Sequence, residues 1–345
     1  MSNFRVEIQN SSGSLVWEIP FQSFDFQEEL NRDRSATVRF NYEDVKAVAD
    51  NTATTVRNMI TGQYRELYIY DGDTTIYSGY IAEPTISKSK NGALTITVTS
   101  KGFFGLLAKR FTDDSEIYSS QDLSDIAWDL IDDSQSLTYG NFGITRGADP
   151  TTRNADRTYV YDNIAEAIQK LSNLEVDNGI DFDINNQKQF NVYYPEKGEQ
   201  RNNIVLEEGF NIHQFTIREI FIDSMVNQVH VLGANVGADQ LVETRDADSA
   251  LKASFFLLQA KQAETSAITA ATLQEKGDRI ISQRQQPRLV ISNIEVHYND
   301  PAFDEYEVGD RLRLVIPTYS VDDYYRLIGR RLDDRGVVSL TFFTM

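Results

Sequence analysis

Arg65-Glu66-Leu67-Tyr68-Ile69-Tyr70, an Asp71-Gly72 turn, Thr75-Ile76-Tyr77-Ser78-Gly79-Tyr80-Ile81, an Asn91-Gly92 turn and Leu94-Thr95-Ile96-Thr97-Val98 make up a stretch that recurs near the C-terminus. The echo runs Arg311-Leu312-Arg313-Leu314-Val315-Ile316, a polar turn, Tyr324-Tyr325-Arg326-Leu327-Ile328-Gly329-Arg330, an Arg335-Gly336 turn and Val338-Ser339-Leu340-Thr341-Phe342. Asp-Gly and Asn-Gly between alternating apolar residues are hairpin signals, because the tight turns that suit twisted strands need positive φ. Each copy therefore reads as strand, hairpin, strand, hairpin, strand, and each closes a candidate domain. Two similar antiparallel β-barrels are expected, an arrangement that suits a building block better than a catalyst.

Around the first copy, residues 1–111 alternate with period two. Phe4, Val6 and Ile8 open the chain, Leu15–Ile19 follows the Ser11-Ser12-Gly13 turn, and Phe24, Phe26, Ala36, Val38 and Phe40 continue the pattern. Such alternation marks an antiparallel sheet with one buried face. A short helix is expected over Glu43–Ala49. Gly102-Phe103-Phe104-Gly105-Leu106-Leu107 reads as a helical turn plugging a barrel end.

Over 112–205 the period changes to that of an α/β domain. Leu123, Ile126, Ala127, Leu130 and Ile131 form one helical stripe behind a start at Ser119–Asp122. A second helix begins near Asn163 with Glu166 at the capping-box position, and turns Ile164, Ala167, Ile168, Leu171 and Leu174 inward. Ile180–Ile184 and Gln189–Tyr193 make a hairpin, while Gly140–Arg157 reads as polar loop.

From 206 to 345 strands return, at Val226–Val231, Leu289–Val296 and the second copy. A helical excursion at about 247–285 carries Ala270, Leu273, Gly277, Ile280 and Ile281 on one face of a helix over Ser266–Gln283, which Pro287 ends. Phe255-Phe256-Leu257-Leu258 fits a strand or a helical turn equally well. The fold class expected is mainly β with an α+β insertion: barrels over 1–111 and 206–345, and the α/β domain over 112–205.

Composition narrows the function. The 345 residues carry 33 Lys and Arg against 52 Asp and Glu, a net charge of −19, which argues against phosphate-backbone binding. The acidity reads as a solubilising surface, or as a wall along which DNA slides if the fold encloses a channel. No cysteine is present, so thiolate chemistry and cysteine zinc sites are ruled out, and assembly in a reducing cytoplasm fits. No apolar run is long enough to span a membrane, and no signal peptide is visible.

Catalytic constellations are hard to find. His213, His230 and His297 lack metalloprotease spacing, and Gly233-Ala234-Asn235-Val236-Gly237 lacks the third glycine of a dinucleotide loop. The adjacent pairs Asp113-Asp114, Asp132-Asp133, Asp322-Asp323 and Asp333-Asp334 read as turn and loop residues, since neighbours in a strand point apart. Asp181 and Asp183 share a strand face, and the following turn explains their exposure. Tyr and Phe read as core and interface packing rather than a sugar-binding face. No catalytic, cofactor-binding or metal residue is expected, and no cofactor.

The order barrel, α/β insertion, barrel with a helical excursion resembles the tail hub proteins of tailed bacteriophages, often described as baseplate hub or minor tail proteins. The echoes are Asp71-Gly72 before Tyr77–Ile81, Leu94–Val98 leading into Gly102–Leu107, Val226–Gly233, Val308-Gly309-Asp310-Arg311-Leu312-Arg313-Leu314, and Tyr325–Arg330 before the last strand. The resemblance covers nearly the whole chain. It implies a non-enzymatic homotrimer whose two barrels per subunit make a six-part ring around the DNA channel. Such a ring would join the sixfold tail tube, or a distal tail ring, to a threefold tip, spike, fibre or tape-measure protein. It further implies a place at the tail tip of the virion, assembly in the host cytoplasm, and DNA contact only in transit. The chain ends at Phe342-Phe343-Thr344-Met345, so a lytic module is expected on another chain. A module that binds host-surface sugars, through Gly140–Arg157 and Asn235–Asp248, and a cell-wall-degrading enzyme are the alternatives.

Overall fold

The computed structural model describes residues 4–10, 12–61, 63–113, 115–172, 179–220, 222–233, 237–263 and 270–343. Leu174, Asp114, Ala234–Val236 and the expected helix start at Ser266 lie outside them. The chain is mainly β with an α+β insertion, as the sequence pattern implies. Two compact units are present: residues up to Gln214 with Ile294–Thr341, and Phe215–Asn293 with the end of the chain from Phe342.

In the first unit β1 (Phe4–Asn10), β2 (Val16–Glu18), β3 (Ser23–Glu29) and β4 (Ser35–Asn41) precede helices α1 (Tyr42–Asn51) and α2 (Val56–Thr61). β5 (Arg65–Asp71), β6 (Thr74–Lys88) and β7 (Leu94–Lys101) follow. These strands lie in the order β3-β4-β7-β6-β5-β1-β2, antiparallel throughout. Phe24, Phe26, Val38, Phe40, Leu67, Tyr77, Ile96 and Val98 alternate onto one buried face. Asn41 starts α1 by accepting the Glu43 N–H at 3.1 Å, a side-chain cap of the usual kind.

The insertion follows. It comprises α3 (Phe104–Leu107), β8 (Glu116–Asp122), α4 (Leu123–Ser136), β9 (Thr145–Arg146), β10 (Asn154–Tyr159), α5 (Ile164–Gln169), β11 (Asp181–Ile184) and β12 (Gln189–Tyr193). Asp122 caps α4 and Asn163 caps α5, and the inward residues of both helices pack on Phe182, Phe190 and Val192. Several expectations change here. Phe103, Phe104, Leu106 and Leu107 belong to this core, so the Gly-Phe-Phe-Gly segment plugs no barrel. The Gly140–Arg157 stretch holds β9 and most of β10 rather than loop alone. Asp132 and Asp133 lie in the last turns of α4, not in a loop.

β13 (Gln200–Glu207) leads to the boundary strand β14 (Gln214–Ile220). In the second unit β15 (Gln228–Leu232) is flanked by β16 (Val242–Asp246), antiparallel, and β17 (Gln259–Ala263), parallel. Helix α6 (Ser249–Phe255) connects β16 to β17, and α7 (Ala270–Arg284) covers the sheet with Leu273 and Ile281 against Val229 and Val231. Phe255 thus ends a helix, and Phe256 turns away at φ 61°. β14 lies beside β18 (Arg288–His297), which begins in the second unit and ends in the first.

β19 (Arg311–Ile316), β20 (Val321–Asp333) and β21 (Val337–Phe343) complete the chain. Asp322 and Asp323 are therefore strand residues rather than turn residues. Among the described residues no barrel is closed, a correction to the expected pair of barrels. The physical reason lies in β20. Its first half pairs with β19, from Val321–Ile316 to Arg326–Arg311. Its second half runs beyond β19 and pairs with β3, from Gly329–Glu29 to Asp333–Asp25. The backbone groups that would close a second barrel are spent on joining the two copies in one sheet.

Candidate assembly interface

The seam between β3 and β20 is where this sheet concentrates its charge. Glu28, 6% exposed, accepts from Arg330 and lies 3.1 Å from Arg34. Burial alone would push the Glu28 carboxyl up, but the guanidinium groups of Arg330 and Arg34 outweigh it and hold it at about 2. Arg330 also donates to the carbonyls of Phe303 (2.9 Å) and Tyr306 (2.5 Å), and lies 3.9 Å from the Phe303 ring centre. The guanidinium is thereby saturated on its edges and covered on a face.

A second cluster ties the insertion to the same seam. Asp181 is fully buried and ion-paired with Arg326. It accepts from Asn31 Nδ2 and from the Lys197 N–H, both at 2.7 Å. Asn31 returns the contact by accepting the Phe182 N–H at 2.8 Å. Lys197 pairs with Asp183 at 2.5 Å and with Glu307 at 3.2 Å. Burial opposes the Lys197 charge, yet these carboxylates raise its pKa. Asp181 and Asp183 are thus framework ions and not turn-exposed residues. The motif Val308-Gly309-Asp310 gains its reason here too. Asp310, fully buried, accepts the N–H groups of Glu199 (2.7 Å) and Glu307 (3.0 Å) and the Arg201 Nε (2.8 Å).

Close backbone approach holds this corner together. Gly198 and Gly309 have φ of +93° and +111°, and a Cβ on Gly198 would stand 2.2 Å from the Gly309 carbonyl carbon. That contact is with backbone and cannot be relieved by a rotamer. Gly198→Ala is expected to lower the unfolding free energy by more than about 2 kcal/mol in urea titration. A loss within about 0.5 kcal/mol would mean that the crossing is not rigid.

The arrangement offers little for chemistry. A cleft of about 280 Å³ beside the seam is lined by Arg34, Arg201 and Arg330 among others, but each of the three is paired with Glu28 or Asp310. Among the described residues no group of three or more His, Asp or Glu is placed to hold a metal. His230 Nδ1 lies 2.9 Å from Thr244 Oγ1 across a strand pair, and His297 Nδ1 accepts the Asn299 N–H at 3.3 Å. No described helix is long and apolar enough to cross a membrane.

Around the seam the two copies match strand for strand. The order β4-β7-β6-β5-β1 recurs as β18-β21-β20-β19-β13, with β3 and β14 taking equivalent places beside β4 and β18. The last pair differs: β1 runs antiparallel to β5, whereas β13 runs parallel to β19. The registers also set the residue correspondence. β6 passes the end of β5 at Tyr80, opposite Glu66, and β20 passes β19 at Arg326, opposite Arg311. Gly79 and Gly329, which look equivalent in sequence, are not: Gly79 faces Leu67 inside the first hairpin, and Gly329 faces Glu29 of β3.

This fold is that of phage tail proteins. The solved structures it resembles include prophage MuSo2 43 kDa tail protein from Shewanella oneidensis (12% identity, TM-score 0.71, covering 99% of this chain and 97% of that one). A tail protein from Neisseria meningitidis MC58 is similar over 98% and 96% of the two chains, at 14% identity and a TM-score of 0.66. An E. coli component of the type VI secretion system, itself described as similar to the T4 tail proteins gp27 and gp5, is similar at 11% identity and a TM-score of 0.56, over 99% and 76%. No family model matches the chain, and no curated protein matches it by sequence.

Proposed function

We propose that this chain is a non-enzymatic structural protein of a phage-type tail. Three copies form a hub ring at the distal end, around the DNA channel, and adapt a sixfold tube to a threefold tip, spike or fibre. The observation that carries this reading is the strand-for-strand repeat: three chains with two similar strand sets each supply six similar units, which an adaptor between unequal symmetries requires. The regions 1–111 and 206–345 would supply the ring and 112–205 would lie between them. The pairing of the buried charges with one another supports a framework role over a catalytic one.

The sheet face opposite the core carries Thr37, Thr85, Thr95, Thr97 and Thr99, with Glu29 and Glu83 beside Arg39 and Lys101 and with Arg331 paired to Asp25. The ring would assemble in the host cytoplasm, become part of the virion, and contact a tube or distal tail ring on one side and a spike, fibre or tape-measure protein on the other. Light scattering of the purified protein, alone and mixed with tail-tube protein, tests the reading. Three chains per particle are expected, and a chain that stays monomeric in both samples would overturn it.

A further inference from the structure

We propose that the exposed face of the β8–β10 ladder docks a cationic segment of a partner protein, one whose lysine or arginine side chains alternate with apolar ones. Such docking requires no ring and no particular number of copies. The ladder is longer than its two strands. Past β8, the Tyr161 N–H donates to the Asp113 carbonyl at 3.0 Å, the Thr112 N–H donates to the Asp162 carbonyl at 2.9 Å, and Phe111 bridges to Asn163. Within the strands Ile117 lies opposite Thr158, and Glu116 opposite Tyr159.

Alternation along a strand sends side chains to two faces. Thr112, Tyr118 and Tyr159 turn inward and are buried, the two tyrosine rings meeting edge to face at 6.0 Å. Phe111, Ile117, Val160 and Tyr161 stay exposed, Ile117 at 71% and Tyr161 at 66%. A single exposed apolar side chain calls for no explanation. Four along one ladder make a patch of the kind that marks an interaction surface.

The rim of the patch supplies the charge. Glu116 accepts from the Tyr118 hydroxyl at 3.2 Å and from the Asp113 N–H at 3.1 Å, and Asp129 accepts from Gln121 Nε2 at 2.8 Å. These partners are neutral, whereas Asp125, one helical turn before Asp129, is paired with Arg146 at 2.6 Å. Among the described residues no lysine or arginine forms an ion pair with Asp113, Glu116, Asp129, Asp132 or Asp133. Burial, together with the charges of Asp129, Asp132 and Asp113, holds the Asp133 carboxyl above the ordinary carboxylate range. Beneath the patch Tyr159, 5% exposed, keeps a buried hydroxyl with no hydrogen-bond partner. Like charges held together are relieved by a cation and not by the neutral hydroxyls of a glycan, and the apolar strip beside them suits aliphatic side chains. No three carboxylates among the described residues are placed to share one metal ion, so charges spaced along a peptide segment fit them better.

Fluorescence anisotropy with a labelled short peptide that alternates lysine with leucine tests the docking. The purified chain should bind it, and Ile117→Ser, at an exposed position, should weaken binding about tenfold by removing an apolar contact. Asp129→Asn with Asp133→Asn should weaken it by about tenfold too, and flatten its dependence on salt. Two controls guard against simple attraction to a chain of net charge −19. A peptide alternating lysine with serine should bind at least about tenfold more weakly. Asp44→Asn with Asp50→Asn, which removes the same charge from α1, should leave binding unchanged. No binding of the lysine–leucine peptide, equal affinity for the two peptides, or equal losses from the two double variants would overturn the docking. So would a neutral chitin fragment that binds this face more tightly than the lysine–leucine peptide.

Discussion

Arg330→Ala should lower the unfolding free energy by about 3–5 kcal/mol, the cost of leaving a buried carboxylate without its partner. Glu28 is fixed from both sides of the seam, and Arg34 remains after the substitution, but the Phe303 and Tyr306 carbonyls lose their donor as well. The neighbouring Arg331→Ala is the control. Its pair with Asp25 is more than half exposed on the arginine side, and an exposed pair contributes only about 0–1 kcal/mol. Urea titration of both variants separates the two cases. Equal losses would show that the seam is not held by its buried charge. Replacing Arg330 and Glu28 together by Met should recover much of the loss, because the unpaired ion and not the missing attraction carries the penalty.

Asp33→Asn should weaken the fall of stability as pH rises between about 4 and 7. Burial pushes the Asp33 carboxyl up to about 7 from an ordinary 3.8, against the partial relief of the Gly105 and Arg34 N–H groups and the Lys101 and Arg34 cations. Its Oδ1 has no hydrogen-bond partner. In this window the folded chain holds a proton that the unfolded chain has released, so stability falls as pH rises toward 7. Three pK units correspond to about 4 kcal/mol at pH 8. The thermal midpoint of the natural chain should therefore drop between pH 5 and 8, and that of the Asn variant should drop less. Parallel curves would remove Asp33 from the account. The acid limb has the opposite sign. Glu28, held at about 2 against an ordinary 4.5, contributes stability that is complete above pH 4.5 and is lost as pH falls from there toward 2.

Periodicity made most of the strands and helices legible. Alternation located β1, β3, β4 and both copies of the meander, and Asp122 and Asn163 marked the helix starts that the structure caps. The hidden part was long-range pairing. Whether β20 folds back on its own half or reaches β3 depends on a partner some 300 positions away, and local pattern carries no trace of it. The buried ions were hidden for a related reason. Asp181, Asp183 and Glu28 look like surface acids because their cations, Arg326, Lys197 and Arg330, lie elsewhere in the chain. One signal was present: Gly102-Phe103-Phe104-Gly105 combines two glycines with a core turn. A Cβ on Gly105 would come within 2.3 Å of the Asp33 carboxylate, so the motif records a buried acid and not a barrel plug.

The internal repeat becomes a statement about assembly under the ring reading, and imaging tests that statement most directly. Class averages of the purified protein should show a closed ring of three chains with six similar lobes around a central channel. Isolated monomers, or a ring whose lobes number other than six, would contradict the account.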